Sequence, residues 1–177
     1  RHNLCRGKYK FARRPVLINN WEATYFDFNE EKILSIARQA SELGIEMLVL
    51  DDGWFGSRDS DNAGLGDWFV NTDKLKGGLT DLVTGINGLG MKFGIWIEPE
   101  MVNEDSRLYR EHPDWALTIP GRKPCRSRNQ LVLHMSRSEV RDYVFDSIAA
   151  VLKCVNVEYV KWDMTRSICD FCSAVLP

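Results

Sequence analysis

The stretch Tyr159-Val160-Lys161-Trp162-Asp163-Met164 decides the reading of the fold, because an apolar run stops there at a cation, an indole and a carboxylate. A buried strand ending this way presents a charged pair and an aromatic wall at its carboxyl tip, which is where α/β proteins meet their ligands. Two earlier runs end alike: Met47-Leu48-Val49-Leu50 in Asp51-Asp52-Gly53-Trp54, and Phe93-Gly94-Ile95-Trp96-Ile97 in Glu98-Pro99-Glu100.

With Pro15 to Asn20 these make four candidate buried strands: Pro15 to Asn20, Met47 to Leu50, Lys92 to Ile97 and Tyr159 to Trp162. Helical patterns fall between them. Glu30 to Leu43 places Ile33, Ile36, Ala37, Ala40 and Leu43 on one face, with Asn29 as the cap and Gly44 as the stop. Thr80 to Leu89 carries Leu82, Val83, Ile86 and Leu89, and Ser138 to Val155 carries Val140, Val144, Ile148, Val151 and Leu152. The order β-α-β-α-β-α-β predicts an α/β fold with a parallel sheet under helices. Doubly wound sheets and eight-stranded barrels share that signature. The long stretches Asp51 to Leu79 and Glu98 to Arg137 favour the barrel, since structural turns are far shorter. Within the second, Leu131-Val132-Leu133 reads as a short extra strand. A complete (β/α)8 barrel takes about 250 residues, so 177 residues with four βα units correspond to a partial TIM-type barrel, about its first half. The expected organisation is a basic linker over 1–14 following an upstream domain, the half-barrel over 15–166, and a divergent tail over 167–177.

Composition is that of a globular domain, 44% hydrophobic and 27% charged, with a net charge of -2. No apolar run approaches the ~20 residues of a membrane span, and the first residues lack the apolar core of a secretory signal, so the expected setting is cytoplasmic, with no membrane partner. Residues 1–14 hold six of the 23 Lys and Arg and no acid. Such an arm invites a nucleic-acid reading, but it is short and the rest of the chain is acidic, so no nucleic-acid partner is expected. The five cysteines, Cys5, Cys125, Cys154, Cys169 and Cys172, are odd in number and irregular in spacing, which points to thiols rather than a disulfide framework. Cys169-x-x-Cys172 is half a zinc site or a redox pair at most, since zinc takes four ligands and no second CxxC or HxxxH is present. No metal and no cofactor are expected.

The candidate chemistry rests on carboxylates. Asp163 is the candidate nucleophile, because an attacking carboxylate must be ionised and fixed in position, and Lys161 two residues earlier points to the same side of a strand. An ordinary Lys-Asp surface pair is the competing reading. Asp51-Asp52 reads as a clamp for vicinal hydroxyls, with Trp21, Trp54 and Trp96 as flat walls for a sugar ring, or alternatively as a helix cap with divalent-metal ligands. Both aspartates reach one ligand only if the chain turns after Asp51, as Gly53 allows. Either Glu98 or Glu100 could be a second catalytic carboxylate, but the Pro between them equally marks a loop start with solvated charges, and supporting roles are favoured. Arg128 is a loop cation for hydroxyls or a pocket acid, and His134 reads as a structural histidine. Carboxylates from separate strand ends with indoles between them suit glycoside chemistry.

At these residues the chain closely resembles the bacterial-type α-galactosidases, or melibiases, of glycoside hydrolase family thirty-six. The matching segments are Arg14-Pro-Val-Leu-Ile-Asn-Asn-Trp-Glu-Ala-Thr-Tyr-Phe26, Leu50-Asp-Asp-Gly-Trp-Phe55, Gly94-Ile-Trp-Ile-Glu-Pro-Glu-Met-Val102, Arg128-Asn-Gln-Leu-Val-Leu133 and Lys161-Trp-Asp-Met164. The resemblance implies a retaining hydrolase acting on terminal α-linked galactose, in oligosaccharides such as melibiose and raffinose, within an eight-stranded barrel whose full-length form is a homo-oligomer. It implies Asp163 as nucleophile, Lys161 binding hydroxyls and holding Asp163 ionised, and Asp51 and Asp52 on the hydroxyls that distinguish galactose. Trp21 and Trp96 would shape the pocket, and Arg128 would touch substrate or support the acid. The acid/base is an aspartate from a later strand, absent from this chain, so the isolated chain is expected to be inactive.

Three departures from the family pattern stand out: Thr165 where Asn is usual, His134 where Asp is usual, and a tail after Arg166 that no longer follows it. The rival functions are galactosyl transfer of the raffinose- or stachyose-forming type and a non-catalytic galactose-binding or structural remnant.

Overall fold

A computed structural model describes residues 9–169. Cys5 and Cys172, most of the basic arm and most of the tail fall outside them. Four parallel strands form the main sheet in the order β1 (Leu17–Asn19), β2 (Met47–Leu50), β3 (Lys92–Ile97) and β6 (Tyr159–Trp162). Burial follows position. Every residue of β2 is buried, β3 is buried beyond Lys92, and the edge strands β1 and β6 are partly exposed. Strands covered on both faces need continuous apolar runs, which is why β2 and β3 were legible to the residue; β6 was expected to be buried too, but at the edge of the sheet its Tyr159 and Trp162 are exposed.

Three long helices pack on this sheet. α2 (Glu30–Glu42) begins where Asn29 Oδ1 accepts from the Lys32 amide at 2.9 Å, and buries Ile33, Ala37 and Ala40. It ends at Gly44, whose φ of +79° is a left-handed stop. Leu43 belongs to this stop rather than to the apolar face: it is 82% exposed. α3 (Gly78–Gly88) buries Leu79, Leu82, Val83 and Ile86, starting two residues before the expected Thr80. α5 (Ser138–Cys154) buries Val140, Val144, Ile148 and Val151.

The long loops carry structure of their own. α1 (Trp21–Thr24) follows β1 directly, and Asn20 holds it by donating Nδ2 to Thr24 Oγ1 at 2.9 Å. β4 (Met101–Val102) pairs antiparallel with β5 (Leu131–Val132), the short strand expected there, and α4 (Arg107–Glu111) lies between them. Asn103, fully buried, ties the two long loops together. Its Oδ1 accepts from Arg58 Nη1 at 3.0 Å and from the Leu65 amide at 2.9 Å, while Nδ2 donates to the carbonyls of Asp61 and Asn129.

At the amino end of the sheet, Glu46 accepts from Arg13 and from the Val16 amide, so the chain entering β1 is fixed to the start of β2. No helix among the described residues is long and apolar enough to cross a membrane.

Candidate active site

Four strand ends deliver the site. Asn20, one residue past β1, accepts from the Asp51 amide through Oδ1 at 2.9 Å, and the Asp163 amide donates to the Ile97 carbonyl at 2.8 Å. These bonds lock the tips of neighbouring strands together, so carboxylates far apart in sequence share one cleft. That cleft, of about 60 Å³, is lined by Trp21, Asp51, Asp52, Trp96, Arg128, Lys161 and Asp163, with Thr165 beside them. Asp163, Lys161, Asp51, Asp52, Trp21, Trp96 and Arg128 therefore converge, and Trp54 does not. A larger hollow of about 710 Å³ lies at the opposite end of the sheet, but its one carboxylate, Glu158, is paired with Lys92 and none of the strand-tip acids faces it.

The pairing inside the cleft differs from the sequence expectation. Lys161 Nζ donates to Asp51 Oδ2 at 2.8 Å, not to Asp163. Asp51 is only 2% exposed, and an unpaired carboxylate that deep costs several kcal/mol, so the flexible lysine serves the more buried acid. Asp163 is held instead by an indole: Trp96 Nε1 donates to its Oδ2 at 3.0 Å, and the Met164 amide donates to Oδ1 at 2.8 Å.

Trp96 thus contributes an N–H rather than an open wall. It is 2% exposed and stacked on Phe55 at 6.1 Å with an interplanar angle of 4°. Trp54 leaves the site altogether: it is fully buried and donates Nε1 to the Trp96 carbonyl at 2.9 Å, a core contact that sets the backbone beneath the cleft. Of the three tryptophans proposed as walls, Trp21 alone is half-buried and open to the cleft.

Asp52 is gripped by a residue that sequence reasoning missed. Arg58 donates Nε to Oδ1 at 3.0 Å and Nη2 to Oδ2 at 2.8 Å, a two-pronged contact between side chains that are almost wholly buried. Gly53, at a φ of +105°, makes the turn that brings Asp51 and Asp52 to the same side. Burial pushes the Asp52 carboxyl above the usual aspartate range, and Arg58 pulls against it. Asp61 extends the chain of charge, lying 3.7 Å from Arg58 Nη2 and 3.2 Å from Arg128 Nη2. Arg128 and Asn129 hold the left-handed region at φ +52° and +58°, a strained backbone for side-chain-bearing residues at a loop facing the cleft. Nothing local marked Arg58: it stands six residues after Asp52 and just before Asp59 and Asp61, in a loop too long to be a turn, where an arginine is as readily solvated as buried.

Beneath Asp163 lies Glu98, fully buried. Its Oε1 accepts from both the amide and the hydroxyl of Thr165 at 2.6 Å, and Gln130 Nε2 donates to Oε2 at 3.3 Å. Burial raises its carboxyl above the glutamate range, the two Thr165 bonds oppose that, and the nearby Asp163 and Asp52 charges add to it. Glu100 accepts from Trp162 Nε1 at 3.0 Å. Both glutamates thus hydrogen-bond to residues at or just past the end of β6. His134 is buried against Ser136, with Nε2 2.5 Å from its hydroxyl, and lies outside the cleft lining. Among the described residues, no group of three His, Cys, Asp or Glu side chains is placed to hold a metal ion.

A parallel α/β sheet with a polar ligand site at the carboxyl ends of its strands is the class of domain that this fold and this cleft define. Within that class the chain belongs to the Melibiase family, whose model matches residues 1–177. It is 61% identical over 170 residues to the bifunctional alpha-galactosidase/sucrose kinase AgaSK of Mediterraneibacter gnavus, covering 96% of this chain and 18% of that one. It is 56% identical over 177 residues to alpha-galactosidase AgaA of Geobacillus stearothermophilus, covering all of this chain and 24% of the relative. The crystal structure of the latter, a GH36 enzyme, superposes with a TM-score of 0.95 over 98% of this chain and 24% of its own. Variants of that enzyme have been solved in complex with raffinose and with stachyose. The chain thus spans about a quarter or less of the length of these relatives.

Proposed function

We propose that this chain is the sugar-recognising and nucleophile-bearing part of a retaining α-galactosidase, and that its four parallel strands are consecutive strands of a (β/α)8 barrel. One observation carries the reading: Asp163 is fixed at a strand end by Trp96 Nε1, in the same cleft as the Lys161–Asp51 pair. Identity above 50% to proteins named alpha-galactosidases supports it, as do the raffinose and stachyose complexes of a structural neighbour.

In this reading Asp51, Asp52 and Lys161 take hydroxyls of a terminal α-galactosyl unit, with Trp21 against the ring and Arg128 at the rim. Asp163 attacks the anomeric carbon, the bond to the leaving oxygen breaks, and a galactosyl ester forms on the carboxylate. The leaving oxygen takes a proton from a second carboxyl, which retaining sites place about 5 Å from the first. Asp51 and Asp52 are poor candidates for that acid, since each is already committed to a cation. The proton comes from outside the described cleft, and water then hydrolyses the ester.

The test is covalent trapping with a fluorinated galactosyl fluoride in a catalytically active protein carrying this segment, followed by mass spectrometry of peptides. A label on Asp163 is expected. A label on any other carboxylate ends the assignment.

A further inference from the structure

Two cysteines far apart in sequence meet beside the cleft. Cys169 Sγ lies 3.1 Å from Cys125 Sγ, and both residues are exposed. The meeting is built by Arg166. Its guanidinium, on a side chain only 6% exposed overall, donates Nη2 to Cys169 Sγ at 2.9 Å and Nη1 to the carbonyls of Cys125 and Gln130. One cation therefore pins the strand-preceding loop that carries Cys125 to the segment that leaves β6 and carries Cys169.

We propose that Cys125 and Cys169 form a redox-active thiol pair, which a hydroperoxide converts to a disulfide. The thiolate of one cysteine attacks the terminal peroxide oxygen, the O–O bond breaks, and the alkoxide or hydroxide leaves with a proton as alcohol or water. The other thiol attacks the resulting sulfenic sulfur, forming the S–S bond, breaking the S–O bond and releasing water. The two sulfurs lose two electrons in all and the peroxide gains them. The sulfurs need to close by about 1 Å to reach the 2.03–2.05 Å of a disulfide, a movement that exposed side chains on loops make readily. The bond would fix together the segments carrying Arg128 and Thr165, both of which line the cleft. This pairing differs from the one the Cys169-x-x-Cys172 spacing invites, and it makes no use of the sugar chemistry.

The experiment uses the intact chain, treated with hydrogen peroxide, blocked with N-ethylmaleimide, digested without reductant and mapped by mass spectrometry. A Cys125–Cys169 cross-linked peptide is expected as the dominant linked species, reverting with dithiothreitol to two labelled peptides, while Cys154 stays labelled throughout. The C172S variant should give the same cross-link at the same rate. The proposal is overturned if both cysteines remain labelled after oxidation, if the dominant link joins Cys172 to either, or if urea leaves the yield of the Cys125–Cys169 link unchanged. That last result would show that the folded juxtaposition does not direct the reaction.

Discussion

Lys161 Nζ and Asp51 Oδ2 meet at 2.8 Å across the width of β3, joining the tips of β6 and β2 in one ion pair. The lysine is a third exposed and the aspartate almost fully buried, so the pair orients a carboxylate that has no other cation within salt-bridge distance among the described residues. Replacing Lys161 with Met should leave Asp51 desolvated and unpaired. In a catalytically active protein carrying this segment, kcat/KM for an aryl α-galactoside should fall about 10- to 100-fold, the equivalent of one hydrogen bond to a charged group. Steady-state kinetics decide it, and an unchanged kcat/KM would remove Lys161 from the site.

Arg58 and Asp52 are the most buried ion pair in the molecule's described part. Removing one partner of such a pair leaves a stranded charge, so Arg58→Ala should destabilise the chain by about 3–5 kcal/mol. The double variant Arg58→Met, Asp52→Leu should recover much of that loss, because two apolar side chains need no partner. Urea denaturation of the parent, the single variant and the double variant measures both effects. A loss below ~1 kcal/mol for Arg58→Ala would show that the fork contributes little to the fold.

Glu98 gives the fold a pH dependence of definite sign. Burial raises its carboxyl in the folded state, so its contribution to stability is complete below the ordinary glutamate value and is lost as pH rises through the raised one. Thr165 opposes this with its hydroxyl, which favours the ionised form. Thr165→Val keeps the shape and deletes that bond, at a cost of about 1.5–3 kcal/mol at neutral pH. The cost should shrink on acidification, as Glu98 becomes neutral. Unfolding free energies of the parent and the variant across pH 4 to 8 test the prediction, and a difference independent of pH would contradict it.

The strands were legible because of where they lie. β2 and β3 are apolar runs ended by charge, and a buried parallel strand has few other ways to appear in a sequence; β6 shares the pattern although it is partly exposed at the edge. β1 came out shorter than expected, since Pro15 has no amide to donate, the Val16 amide donates to the Glu46 side chain instead of a strand carbonyl, and Asn20 turns into α1. α1 and α4, of four and five residues, are too short for a 3.6-residue period to show, and each is held by side-chain contacts, as Asn20 on Thr24 and Ser106 on the Tyr109 amide. Strand tips and their acids could likewise be read in advance. Pairing could not: alternation along a strand puts Lys161 and Asp163 on one side, but which acid a long flexible lysine reaches depends on how deeply each is buried. Arg58 was invisible for a similar reason, because nothing local distinguishes a buried loop arginine from a solvated one until its partners are placed.

Asp163 and Trp96 supply the most direct test of the catalytic reading, since the proposed nucleophile and the indole that donates to it come from different strands. Trp96→Phe keeps the buried ring and its stacking on Phe55 but deletes the N–H that donates to Asp163 Oδ2. If that bond positions the attacking oxygen, kcat should fall about 10- to 100-fold, by the 1.5–3 kcal/mol typical of a hydrogen bond to a charged group, with KM nearly unchanged. Asp163→Ala should abolish hydrolysis outright, because the glycosyl ester can no longer form. It also vacates space beside the anomeric carbon, where added azide can attack directly from the face the carboxylate used. One displacement replaces two, so the product should be β-galactosyl azide, of inverted configuration, identifiable by proton NMR of the anomeric centre. Ordinary hydrolysis surviving in Asp163→Ala, or an α-configured azide, would refute Asp163 as the nucleophile. The Trp96→Phe result is informative only alongside that one: a loss of kcat without azide rescue in Asp163→Ala would mean that Trp96 supports the cleft rather than aims its nucleophile.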